Sequence, residues 1–91
     1  MTTLLIQHTI ESFDDWKVGF DNHESNRRLH GCSGHRVLRD GNAITILLDF
    51  PGQESAHAFT ADPALQEAMA KAGVIGAPSV SYVEDVESVS Y

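Results

Sequence analysis

Apolar spacing along the 91-residue chain alternates between a period of two and a helical period, in the order strand, helix, strand, strand, helix, strand. Thr3 to Ile10 (TLLIQHTI) is β-branched and apolar and reads as a strand. Leu4, Ile6, His8 and Ile10 fall on one face; Leu5, Gln7 and Thr9 fall on the other. Ser12 starts a helix as its N-cap, with Asp15 three residues on as in a capping box. Asp14 and Asp15 also suit the positive end of the helix dipole. This helix is expected to run to about His30, with Gly31 as its C′ stop. Phe13, Trp16 and Phe20 form one stripe along it, which His23 and Arg27 continue.

Cys32 to Arg39 is strand-like, and Asp40-Gly41-Asn42 suits a tight hairpin. Ala43 to Phe50 (AITILLDF) is the clearest strand, with Ile44, Ile46, Leu48 and Phe50 on one face. Pro51-Gly52 breaks it. A short helix is predicted from Gln53 to about Thr60. Asp62-Pro63 then supplies the N-cap and N1 of a second helical piece, apolar at Leu65, Ala68, Met69 and Ala72 and ended by Gly73. Val74 to Pro78 reads as a stiff apolar connection. Ser79 to Val89 reads as the last strand, with Val80, Tyr82 and Val86 in phase.

Each half is therefore a strand, a helix and a strand. Right-handed crossovers place both helical segments on one face of a four-stranded antiparallel sheet. The expected fold is α+β, a ferredoxin-like βαββαβ arrangement, with residues 1–91 as a single domain. The first three strands are apolar in both phases, as Leu47 beside Ile46 shows. Helices cover only one face, so the other predicts a homodimer packed sheet against sheet.

Composition narrows the partners. The apolar fraction of 42% is that of a globular protein. A net charge of −7 with only six Lys and Arg argues against nucleic acid and against anionic membrane surfaces. One cysteine, Cys32, allows no internal disulfide. No apolar run approaches a membrane span and the N-terminus lacks the features of a signal peptide, so a cytoplasmic protein is expected.

Candidate chemistry is sparse. His8 is a titratable imidazole in the apolar phase of its strand, and reads as a base or as a buried, hydrogen-bonded neutral histidine. His23 and Arg27 lie on the apolar stripe of the first helix, where a pocket between helix and sheet would form. Arg27 either holds a carboxylate or enolate oxygen there or snorkels to an acid at the rim. Trp16 and Phe20 are core residues that can also wall a pocket, and Tyr82 is placed to offer it a hydroxyl. His30, His35 and His57 are expected to be exposed. No histidine spacing suggests a metal site, Cys32 has no paired motif, and no phosphate loop or G-x-G-x-x-G is present, so no metal or cofactor is implied.

Three segments carry a likeness: Gln7-His8-Thr9-Ile10 with Phe13-Asp14-Asp15-Trp16-Lys17, Phe20-Asp21-Asn22-His23-Glu24, and Ala72-Gly73-Val74-Ile75-Gly76-Ala77-Pro78. Through them the chain resembles the dimeric α+β barrel superfamily, which includes antibiotic-biosynthesis monooxygenases and small polyketide cyclases. It departs from the pattern in its short Asp40-Gly41-Asn42 loop. The resemblance implies a homodimeric, cofactor-independent monooxygenase or cyclase acting on a small hydrophobic, aromatic or polyketide-like molecule. His8 or His23 would be the catalytic base, Arg27 or Tyr82 would stabilise the anion, and Trp16 and Phe20 would shape the site. The alternative is a non-catalytic homodimer, either a small-ligand binder or a structural protein.

Overall fold

The computed structural model describes residues 1–91. Its elements are β1 (Thr2–Ile10), α1 (Phe13–Asn22), α2 (Glu24–Leu29), β2 (Gly34–Asp40), β3 (Ala43–Phe50), α3 (Gln53–Ala61), α4 (Pro63–Lys71) and β4 (Val74–Glu84). The strands form one sheet in the order β2-β3-β1-β4, with every neighbouring pair antiparallel. The helices cover one face, so this is the ferredoxin-like α+β fold that the sequence predicts.

Alternation in the two central strands decides which face is covered. Ile6 faces Ile46 across the β1–β3 pair, and Leu4 faces Leu48. These residues, with Ile10, Ile44 and Phe50, are buried and meet Trp16, Phe20, Ala56 and Phe59 from the helices. Ser12 caps α1 by accepting from the Asp15 amide, and Asp62 caps α4 by accepting from the Ala64 amide with Pro63 following.

The first helical segment differs from its expected form, because it breaks at His23 into α1 and α2. The Phe20 carbonyl there accepts from the His23 amide at 3.2 Å and from Arg27 Nη1 at 2.7 Å. A side chain drawn into the backbone ladder is a recognised cause of a kink. After α2 the Cys32 amide bonds the Arg27 carbonyl and the Gly31 amide bonds the Arg28 carbonyl, with Gly31 at φ +91°. That is a Schellman stop, and a Cβ at position 31 would be strained in it. The turn delays β2, which starts at Gly34 rather than Cys32.

The last strand also differs. Val74 to Pro78 belongs to β4 rather than to a connection, and the strand ends at Glu84, leaving Val86 and Val89 outside it. Apolar β-branched residues at 74 and 75 pair with Ile10 and Thr9 of β1. Between Gln7 and Thr9 the register slips, and Gly76 takes φ +73° in the bulged stretch facing His8. No helix is long and apolar enough to cross a membrane.

Candidate functional site

A small cavity lies between the helices and the centre of the sheet. It measures about 40 Å³ and is walled by Ile6, His8, Ile46 and Leu48 from the sheet. Trp16, Phe20, His23 and Arg27 enclose it from α1, the kink and α2, and Phe59, Leu65, Ala68 and Met69 from α3 and α4. Five of the six site residues expected from sequence thus line one space: His8, Trp16, Phe20, His23 and Arg27.

Tyr82 is the exception and its expected placement needs correcting. Its hydroxyl is 2.6 Å from Thr60 Oγ1 on α3, and its ring stacks on His57 at a centroid distance of 3.7 Å. It shares the helix-side face with Leu4, its partner across the β1–β4 pair. But β4 is an edge strand, and α3 intercepts the hydroxyl before it reaches the cavity.

His8 occupies the apolar phase of β1 and is 8% exposed. Its ring meets Trp16 edge-on at 5.8 Å, and neither ring nitrogen has a hydrogen-bond partner or reaches solvent. Burial holds its pKa below the ordinary 6.5, so the imidazole is neutral at pH 7. His8 is buried as both sequence readings require, and no protein group supplies the hydrogen bond that the core reading expects.

His23 sits at the kink, half-buried, with Asn26 Nδ2 donating to its Nε2 at 3.1 Å. Burial lowers its pKa and the nearby Arg27 charge pushes in the same direction. Trp16 and Phe20 stack at 5.0 Å, and the Arg27 guanidinium lies over the Phe20 ring, 3.8 Å from its centroid. Arg27 is 3% exposed, pairs with no carboxylate, and leaves Nε and Nη2 without partners. It does not snorkel to the rim.

Sequence reasoning missed two features. His30 is half-buried, 2.9 Å from Asp62 and edge-on to Phe59, and so ties the end of α2 to the cap of α4. The two residues are 32 positions apart, so nothing in local spacing announces that tie. His35 is exposed as expected, yet its ring meets Phe20 edge-on at 5.0 Å. Its phase carried that signal, since His35 pairs with Leu48 and so shares the helix-side face. No three His, Cys, Asp or Glu side chains converge as metal ligands would.

Comparison with solved structures defines the class of fold. SnoaB, a cofactor-independent oxygenase from Streptomyces nogalater, superposes with a TM-score of 0.78 at 12% identity, over 97% of this chain and 95% of that one. A candidate antibiotic biosynthesis monooxygenase from Bordetella bronchiseptica gives a TM-score of 0.77 at 16% identity, over 94% and 97% of the two chains. Another from Caulobacter crescentus gives 0.73 at 14%, over 94% and 90%. The chain shares the fold of the antibiotic-biosynthesis-monooxygenase type of α+β protein, as the sequence resemblance implied. No protein-family model and no curated protein matches the sequence.

Proposed function

We propose that the chain is a cofactor-independent monooxygenase or cyclase of small hydrophobic, aromatic molecules, working as a homodimer closed through the open face of its sheet. The observation that carries this reading is His8, a neutral imidazole with both nitrogens free, set in the wall of an aromatic cavity. A buried polar group without a partner costs about 1–3 kcal/mol, a cost that a core position has no reason to retain. The oxygenase SnoaB, which shares the fold, supports the reaction class.

In this reading His8 takes a proton from a phenol or an activated carbon. His23 is the second candidate base, closer to the surface. The substrate anion then follows one of two courses. It reduces O₂, forming a C–O bond to a hydroperoxide that loses water to leave a carbonyl; the substrate supplies the electrons. Or it attacks an electrophilic carbon of the same molecule and closes a ring. Arg27 stabilises the anion, while Trp16 and Phe20 hold the ring system. Substrate access requires α4 to move aside. That helix buries none of its own residues, yet Leu65, Ala68 and Met69 form part of the wall.

A second reading, the non-catalytic dimer, is favoured by cavity size. About 40 Å³ holds a few water molecules and falls well short of the ~300 Å³ of ordinary ligand pockets. Oxygen uptake with an electron-rich polycyclic phenol separates the two. The enzyme reading expects O₂ consumption with no added cofactor, abolished in His8→Ala. Binding without conversion, detected by native mass spectrometry, would install the second reading instead.

A further inference from the structure

We infer that the chain binds small aromatic carboxylates, with Arg27 as the counter-charge. The inference narrows the ligand class of the cavity just described, but it concerns binding and does not depend on the reaction.

Arg27 is a permanent cation enclosed by protein without an acid beside it. The two acids near it on the same helices are engaged elsewhere, Asp21 with Lys17 at 2.6 Å and Glu24 with Arg28 at 3.3 Å. A buried charge is costly unless it is paired and hydrogen-bonded. The Phe20 ring covers one flat face of the guanidinium and leaves the in-plane N–H groups of Nε and Nη2 unsatisfied.

Which of those groups are free decides the ligand. Nη1 is spent on the Phe20 carbonyl; Nε and Nη2 have no partner. Nε and Nη2 lie on the same edge of the planar guanidinium. Their N–H bonds run parallel, at the spacing that receives both oxygens of one carboxylate. The sequence also holds that edge in place. Arg27 is anchored by its side-chain bond at the kink and by its own carbonyl in the Schellman turn, so the fork is fixed at both ends.

The surroundings specify the rest of the molecule. Phe20 is stacked on Trp16 and met edge-on by His35, so an anion on Arg27 has aromatic surfaces beside it. A strongly hydrated inorganic anion gains nothing from them, while an aromatic acid does. Access is available on the outer side. A cleft of about 500 Å³, lined by Glu24, Arg28, Cys32, Ser33, Gly34 and His35, shares Arg27 with the inner cavity. The free edge is closed to solvent in this state, so binding draws the lip of the cleft aside while Arg27 stays anchored.

Titration calorimetry of the full chain tests this with benzoate, 2-naphthoate, their primary amides and inorganic phosphate at constant ionic strength. At least one acid should bind ten-fold or more tightly than its own amide, with phosphate failing to compete. Arg27→Gln should remove the preference, and Arg27→Lys should keep only part of it, because the charge survives and the fork does not. Equal binding of acid and amide, binding of neither, effective competition by phosphate, or an acid preference surviving in Arg27→Gln would each overturn the inference. Should Arg27→Gln fail to fold, the wild-type contrast of acid with amide and the Arg27→Lys protein still decide it. A bound acid that is never turned over counts against the oxygenase reading alone, and an oxygenated phenol with no preference for acids counts against this one alone.

Discussion

Ile46 and Leu47 are neighbours in β3 and sit in different environments. Ile46 is 4% exposed beneath the helices, whereas Leu47 lies half-buried on the uncovered face. The same split runs along β1, where His8 is enclosed and Gln7 is exposed. The covered face carries the apolar core on its two central strands, with Arg39, His35 and Glu84 on its edge strands. The open face mixes Leu5, Leu47 and the exposed Leu38, Ile75 and Val83 with Thr3, Thr45, Ser79 and Ser81. One face thus specifies the fold, and the other is an uncovered mixture of apolar and polar side chains, the face on which the proposed dimer would close. His8 and Arg27 stand out because each breaks the rule of the covered side.

The sharpest way to break this comparison is one charge at two adjacent positions. Ile46→Asp should unfold the chain, since a buried unpaired carboxylate costs several kcal/mol of a total near 5–15. Leu47→Asp should leave the fold intact and abolish the proposed dimer. Circular dichroism melting and light scattering read both outcomes. Equal unfolding by the two changes would show that the faces are not independent.

The second test is catalytic and uses the other adjacent pair. His8→Ala should lower turnover by about 10²–10⁴-fold, the usual contribution of a proton-transferring group. Its melting temperature should move little, because a lost contact with Trp16 is offset by removal of an unsatisfied polar group. Gln7→Ala, on the open face, should leave turnover unchanged. A comparable loss in both would remove His8 from the mechanism.

Acid should expose the same asymmetry. Burial lowers the pKa of His8 and of His23 from 6.5, so the unfolded chain binds protons more readily than the folded one. Their contribution to stability is full above about pH 6.5 and declines as pH falls below it toward the folded values. Turnover that needs neutral His8 falls in the same direction. His8→Leu should reduce the slope of the stability profile in that window, with His23 and His35 keeping the remainder, and an unchanged slope in a melting series across it would refute the assignment.

The sequence-level reading succeeds where one period governs and fails where two influences compete. Ile44, Ile46, Leu48 and Phe50 alternate without interruption, and β3 has the bounds their pattern predicts. Stripe spacing carried Trp16, Phe20, His23 and Arg27 to a common wall even across a break in the helix. The break itself depends on Arg27 reaching back to the Phe20 carbonyl, a side-chain contact that no periodicity encodes. The start of β4 was hidden because Gly76 and Pro78 interrupt its alternation at the bulge. The pairing of His30 with Asp62 spans 32 positions and is set by helix packing alone. For Tyr82, phase gives the side of the sheet but not which helix lies above an edge strand, and that helix is α3.

Tyr82 therefore supplies the smallest and most discriminating prediction. It shares the covered face with His8, yet its polar atom is satisfied by Thr60 at 2.6 Å, whereas both His8 nitrogens are free. Tyr82→Phe deletes one hydrogen bond and keeps the ring on His57, so it should cost about 0.5–1.5 kcal/mol of stability. Turnover and ligand affinity should be unaltered, because the hydroxyl is spent on α3. Combining the change with Thr60→Val should cost less than the sum of the two single changes, since each single change already breaks the one hydrogen bond the two hydroxyls share, while Thr60 keeps its bond to the His57 carbonyl only in Tyr82→Phe. Chemical denaturation of the four proteins measures that coupling, and turnover of Tyr82→Phe tests the rest. A large loss of turnover with stability preserved would return Tyr82 to the cavity and erase the distinction between its satisfied hydroxyl and the unsatisfied imidazole of His8.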